Sequence, residues 1–121
     1  MAGEDLRART RQFGLQVIHL VESLPRRRTG DLIGGQLLRA GTSVGSNYRA
    51  ACRAKTPADF ISKMGTVEEE LDESLYWMEM LLDSRMVGAD GVKPLMQEGD
   101  ELLAITVSSI NTARGGKRGK A

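Results

Sequence analysis

Apolar residues recur at steps of three and four along four segments of this chain, which is the period of one face of an α-helix. The clearest segment spans residues 56–85. Its stripe consists of Phe60, Met64, Val67, Leu71, Leu75, Met78 and Leu82. Thr56 and Pro57 precede it as an N-cap and a proline at the first helical position. No proline interrupts the stripe, so a helix of roughly 45 Å is expected at ~1.5 Å per residue.

Three further helices are predicted to lie along this one. The first spans 4–24 and ends before Pro25, because a residue that precedes proline is disfavoured in the α region. The second spans roughly 32–54, with Asp31 as its N-cap, and the fourth spans about 92–113. Four amphipathic helices that lie along one another predict an all-α fold, a four-helix bundle.

The fourth helix follows a turn in which two glycines flank an aspartate. Gly88, Asp90 and Gly91 are typical of a C-cap followed by a new N-cap. The helix then carries two adjacent apolar stripes, which are Met96, Leu103, Val107, Ile110 and Leu95, Leu102, Ile105. Two stripes exceed what one bundle core needs, so we expect this helix to contribute to a buried subunit interface.

The second helix is unusually rich in small residues. One of its faces consists of Gly34, Leu38, Gly41, Gly45 and Cys52. Each glycine costs ~1 kcal/mol relative to alanine in a helix interior, so a close helix–helix contact is expected to compensate. Cys52 is interpreted as a buried small hydrophobic residue. A helix broken between Gly41 and Gly45 is the alternative.

Charge is divided unevenly along a chain whose net charge is +1. Residues 1–63 carry 11 Lys/Arg against 5 Asp/Glu, a net of +6, whereas residues 64–113 carry 2 against 11, a net of −9. Such a chain can pair one helix with another, or pair head to tail with its own copies. Residues 1–113 are predicted to form the bundle, and residues 114–121, with four basic residues, a disordered Gly-rich tail.

The chain contains few of the residues that usually catalyse reactions or bind metal ions. The single cysteine allows no internal disulfide and fits a cytoplasmic protein, and no apolar run is long enough to span a membrane. His19 is the only histidine, too few for a zinc or di-iron site. Glu69 and Glu73 could hold a divalent cation, but a solvated or salt-bridged helix face is favoured. No catalytic residue, cofactor or metal is therefore predicted, and an enzyme is not expected.

Two sets of polar residues are candidate interaction sites. The first is a line on the second helix, Gln36, Arg39, Ser43 and Asn47, expected to face Glu69 or Glu73 within or between subunits. The second set comprises basic residues that would contact nucleic-acid phosphates. They are Arg7, Arg9, Arg11, Arg26, Arg27, Arg28, Arg53 and Lys55.

The second and third helices also carry a family pattern. The positions Gln36, Arg39-Ala40, Ser43-Val44 and Asn47 resemble the signature of the bacterial four-helix bundle protein family, also known from proteins encoded within ribosomal-RNA intervening sequences. Gly65, Thr66 and Glu69 are similar to its Gly-Ser-x-x-Glu element. Many members continue from the asparagine as Ile-Ala-Glu-Gly, whereas this chain has Tyr48-Arg49-Ala50-Ala51. A role for that family glutamate is therefore not transferred.

The resemblance implies an antiparallel up-down four-helix bundle that assembles as a ring-like homopentamer without established enzymatic activity. It also implies similarity to accessory proteins of diversity-generating retroelements, which bind RNA and a reverse transcriptase. Two hypotheses follow. The chain is a homo-oligomeric scaffold or adaptor in the cytoplasm, or it is an RNA- or DNA-binding accessory protein that assists a nucleic-acid enzyme.

Overall fold

A computed structural model describes the backbone of residues 2–120 and the side chains of residues 5–115. The backbone forms four α-helices and, over those residues, no strand: α1 Ala2–Glu22, α2 Arg28–Cys52, α3 Pro57–Asp83 and α4 Ala89–Lys120. The connections of about five residues reach at most ~18 Å, which is too short to return along a helix, so consecutive helices are antiparallel. The predicted all-α four-helix bundle is confirmed.

The helices are arranged as a square in chain order. α1 packs against α2, α2 against α3, α3 against α4, and α4 returns to α1 with the fewest contacts. Within the described residues, the diagonal pairs α1/α3 and α2/α4 make no close backbone contact. The bundle therefore has four sides, each formed by one pair of neighbouring helices.

One apolar cluster fills the centre of the bundle, and all four helices contribute to it. Its fully buried side chains include Phe13, Val17, Leu37, Val44, Met64, Leu71, Met78 and Leu102. The stripe predicted for α3 faces this core from Met64 to Met78. Three buried hydroxyl groups, those of Thr10, Ser74 and Thr106, donate to carbonyl oxygens of their own helices, so the core contains no unpaired hydroxyl among the described residues.

The start of α3 agrees with the sequence, whereas the start of α2 does not. The Thr56 hydroxyl accepts a hydrogen bond from the Asp59 amide at 3.0 Å, and Pro57 is the first helical residue. The prediction that Asp31 caps α2 was wrong, because the helix begins at Arg28. Asp31 lies instead in the first turn, where its negative charge interacts favourably with the helix dipole.

α3 ends without the glycine cap expected after it. Arg85 adopts a left-handed conformation with φ of 65°. The Arg85 amide donates to the Leu82 carbonyl, and the Met86 amide donates to the Leu81 carbonyl, each at 3.0 Å. This is a Schellman arrangement, in which the left-handed position usually holds glycine. Gly88 plays no such part, since no described glycine has a positive φ.

The glycine-rich face of α2 allows a close crossing with α1, as predicted. A Cβ atom added at Gly41 would lie 2.7 Å from Val17 Cγ2, and one added at Gly45 would lie 3.3 Å from the Thr10 carbonyl oxygen. The alternative of a helix broken between Gly41 and Gly45 was wrong, because α2 is continuous. The predicted burial of Cys52 was also wrong; it is the last residue of α2 and is exposed.

The core-facing side of α4 takes Leu95 and Leu102 from one predicted stripe and Ile110 from the other. The buried residues of α4 are Val92, Leu95, Gly99, Leu102, Thr106 and Ile110. Leu103 and Ile105 remain half-buried, and Val107 is exposed. Regular helical geometry is interrupted at Gly115. The predicted tail at 114–121 lies mostly beyond the residues whose side chains are described, and its disorder stays a prediction.

Candidate functional site

The side formed by α2 and α3 holds the predicted partner of Arg39. The guanidinium group of Arg39 binds the Glu73 carboxylate, and its Nη1 atom lies 3.3 Å from Glu70 Oε1. The Trp77 indole N–H also donates to Glu73, at 3.1 Å. The Arg39 bond and then the Trp77 bond hold the pKa of Glu73 below its ordinary value. All of these residues belong to one chain, so this cluster links two helices of one subunit.

The rest of the predicted polar line does not reach α3. The Ser43 hydroxyl donates to the Arg39 carbonyl at 2.7 Å, and the Asn47 amide donates to the Ser43 carbonyl at 2.8 Å. Gln36 is exposed. Glu69 lies on a different side of the bundle, so the structure brings Arg39 and Glu73 together but leaves the other members of the set apart.

The side formed by α1 and α4 holds a second ion-pair cluster. Arg9 binds Glu98 through two hydrogen bonds of 2.7 and 2.9 Å, and its Nη2 atom lies 3.0 Å from Glu101 Oε1. These bonds raise the pKa of Arg9 further above its already high ordinary value. Arg9 was predicted to point outward toward phosphate. In the structure, 26% of its side chain is exposed, and its Nε and Nη2 atoms bind Glu98 and Glu101 within the chain.

An open groove of about 800 Å³ lies beside this cluster, where α1 and α4 diverge. Gln12, Gln16 and His19 line it together with apolar core residues. His19 is exposed. The described residues contain no group of histidine, cysteine or carboxylate side chains that could hold a metal ion.

The side formed by α1 and α2 carries only positive charge in its groove, which has a volume of about 520 Å³. We call this the basic groove. Arg7 and Arg11 from α1 and Arg49 from α2 line it, with the apolar side chains of Leu15 and Ile18 beside them. Within the part of the chain that the structure describes, none of these three arginines forms an ion pair.

The opposite side, formed by α3 and α4, carries only negative charge in its groove. We call this the acidic groove. It is lined by Gly65, Glu68, Glu69, Asp72, Leu103 and Val107. Its three carboxylates form no ion pair with any described residue. Glu69 therefore does not pair with the polar line of α2.

The remaining basic candidates lie at opposite ends of the bundle. Arg26, Arg27 and Arg28 are exposed around the α1–α2 connection, where Arg26 lies 3.7 Å from Asp31. Arg53 and Lys55 lie in the α2–α3 connection at the other end. Since α2 separates these groups by about 37 Å at ~1.5 Å per residue, the eight predicted residues do not form one patch.

Sequence reasoning missed the third arginine of the basic groove and two acids of the other groove. Arg49 follows Thr42 by seven residues, and both line the basic groove. Residues seven positions apart lie on the same face of a helix, so the sequence could have shown that Arg49 and Thr42 share a face of α2. What the sequence did not supply was the pairing of this face with Arg7 and Arg11 of α1.

Comparisons with known proteins place this arrangement in a family. The sequence model of the 23S rRNA-intervening sequence protein family matches residues 5–108. The chain belongs to this family. The match confirms the resemblance noted in α2 and α3, and the assignment itself states no biochemical activity.

A solved structure is similar over nearly the whole chain. It is the 1.70 Å crystal structure of a protein with unknown function from the S23 ribosomal protein family of Bacteroides thetaiotaomicron VPI-5482. The two chains are 27% identical, with a TM-score of 0.86, and the alignment covers 93% of this chain and 100% of the other. A search of curated proteins found no match. Among the described residues, no helix has the length and hydrophobicity needed to cross a membrane.

Proposed function

We propose that this chain is a non-enzymatic subunit of a homo-oligomeric scaffold or adaptor in the cytoplasm. The observation that carries the proposal is the apolar surface left on two opposite sides of a bundle whose core is already complete. Leu15 on α1 and Val107 on α4 are 38% and 37% exposed.

These residues matter because of where they lie. Single exposed hydrophobic residues are common on protein surfaces and need no explanation. Here Leu15 lies beside Ile18 in the basic groove, and Val107 lies beside Leu103 in the acidic groove. Apolar side chains rimmed by charged ones are typical of protein–protein contact surfaces.

The family resemblance supplies the expected copy number, a pentamer. Light-scattering mass measured across a size-exclusion peak tests it directly. A subunit of 13.2 kDa gives about 66 kDa for five copies. A stable mass above that of one subunit at micromolar concentration supports the proposal, whereas a monomer across the accessible concentration range contradicts it.

The same measurement distinguishes the nucleic-acid hypothesis. A protein that binds nucleic acid through phosphate contacts carries it through purification at low salt and releases it as salt rises. We expect a 260/280 nm absorbance ratio typical of protein alone. A ratio typical of nucleic acid that falls in high salt would favour the accessory-protein hypothesis.

A further inference from the structure

Charge on the four sides of the bundle is compensated on two sides and uncompensated on the other two. Arg39 is paired with Glu73 on the α2/α3 side, and Arg9 is paired with Glu98 on the α1/α4 side. The basic groove on the α1/α2 side contains no acidic residue, and the acidic groove on the α3/α4 side contains no basic residue. In a square bundle these two sides are opposite each other.

We propose that the basic groove of one subunit binds the acidic groove of a second copy of the same chain. This inference rests on the proposed homo-oligomer and names the two surfaces that meet. Arg7, Arg11 and Arg49 of one copy face Glu68, Glu69 and Asp72 of the next. The contact is heterologous, because each subunit uses two different surfaces, and repetition of such a contact produces a ring when the rotation closes.

The two grooves overlap in height along the bundle, but their charged residues are offset from each other. Arg39 of α2 pairs with Glu70 of α3. Because these helices are antiparallel, Gly65 is close to the level of Gly45. Gly45 in turn packs against the backbone of Thr10 in the middle of the basic groove. By the same register, the three carboxylates lie level with about residues 37–41 of α2, whereas the three arginines lie level with about residues 44–49, an offset of roughly 11 Å at ~1.5 Å per residue. A neighbour whose bundle axis is roughly parallel to the first therefore docks with a displacement of this size along the axis.

Gly65 leaves room for a close approach at the acidic groove. It lies inside α3, where glycine is an unfavourable helix residue relative to alanine. A Cβ atom added there would have no neighbour within 4 Å in its own chain. Packing within the subunit therefore does not require this glycine, whereas Gly41 and Gly45 are required by the α1/α2 crossing. The open position lets a backbone or side chain of another copy approach α3 closely at Gly65.

An uncharged substitution tests the contact without changing electrostatics. Gly65→Leu places a good helix former in open space, so the subunit is expected to fold at least as well as wild type. Its bulk would obstruct the acidic groove, so association should weaken by at least about tenfold, as seen in the light-scattering mass during dilution. Gly91→Leu is the matched control, because Gly91 is also open but lies outside both grooves and should leave the mass unchanged.

Charge reversal tests the pairing of the two surfaces. Arg7→Glu with Arg11→Glu makes both grooves acidic, and Glu69→Lys with Asp72→Lys makes both basic; each variant should dissociate. Combining the four substitutions restores opposite charges and should restore the oligomer mass, a rescue that misfolding cannot imitate. Glu79→Lys with Asp83→Lys adds the same charge to exposed positions of α3 outside the groove, and this control should remain assembled.

The outcomes separate this inference from the proposed function. A wild-type monomer contradicts the homo-oligomer itself. An oligomer that persists in Gly65→Leu and in both charge-reversed variants contradicts only the assignment of the surfaces. If Arg7→Glu with Arg11→Glu removes bound nucleic acid while the protein mass stays the same, the basic groove binds phosphate instead, and the self-contact is also contradicted.

Discussion

The close crossing of α1 and α2 at Gly41 predicts a large difference between two otherwise similar glycine substitutions. Gly41 and Gly35 both lie inside α2, and alanine is favoured over glycine by ~1 kcal/mol at such positions. A Cβ atom at Gly35 would meet nothing within 4 Å. Gly35→Ala should therefore raise the free energy of unfolding by about that ~1 kcal/mol.

At Gly41 the same methyl group has no room. It would lie 2.7 and 2.8 Å from the two Cγ atoms of Val17 and 3.0 Å from its Cβ atom. Val17 is fully buried, and a β-branched side chain in a helix has essentially one allowed rotamer, so it cannot turn away. Overpacking of this kind costs about 1–3 kcal/mol. After the gain in helix propensity, Gly41→Ala should be neutral to about 2 kcal/mol less stable than wild type.

Urea unfolding monitored by circular dichroism at 222 nm measures the difference, with all proteins at one fixed concentration because assembly adds to apparent stability. Gly41→Ala should be about 1–3 kcal/mol less stable than Gly35→Ala, equivalent to roughly 4–12 °C in Tm. Adding Val17→Ala to Gly41→Ala removes both Cγ atoms, so the two changes should cost less together than the sum of each alone. If Gly41→Ala stabilises the protein as much as Gly35→Ala does, the close packing described here is refuted.

Two further predictions concern polar groups. Arg9→Ala should lower the free energy of unfolding by about 1 kcal/mol in the same urea assay, a small value because the ion pair is partly exposed and screened. Arg28 is exposed and forms no ion pair with a described residue, so Arg28→Ala should change the free energy of unfolding by less than about 0.5 kcal/mol. Burial and then a hydrogen bond with Cys52 raise the pKa of Tyr48 to about 12, against the opposing charge of Arg7. The folded state thus favours neutral Tyr48, so the stability that Tyr48 contributes is complete below pH ~10 and is lost as pH rises toward 12. Tyr48→Phe should lack this part of the alkaline loss, and identical pH profiles for the two proteins would contradict the assignment.

Much of the fold follows from local sequence patterns. The α3 stripe from Met64 to Met78, the Thr56 cap and the small residues of α2 each determine structure through neighbours in the same helix. The errors occurred where local signals compete. Asp31 is a good N-cap residue and also a favourable first-turn acid, so its residue type does not determine that α2 begins at Arg28.

The candidate site was harder to predict, because it depends on which helices are neighbours and how each is rotated. Arg9 and Arg11 are two residues apart, yet one is engaged by Glu98 and the other lines an open groove. Similarly, Glu69 and Glu73 are one turn apart, but only Glu73 faces Arg39. Helical periodicity groups residues on one helix, and it gives no information about the side chain that faces them from another helix.

The chain order of the charges, together with the up-down topology, explains why two sides of the bundle remain uncompensated. The basic residues are concentrated in the half that forms α1 and α2, and the acidic residues in the half that forms α3 and α4. In a square bundle these halves meet along only two sides, α2/α3 and α1/α4, where Arg39 and Arg9 find their acids. The other two sides pair basic with basic and acidic with acidic helices. Charge pairing within one chain cannot neutralise both, whereas a second copy in the proposed contact would present the opposite charge to each.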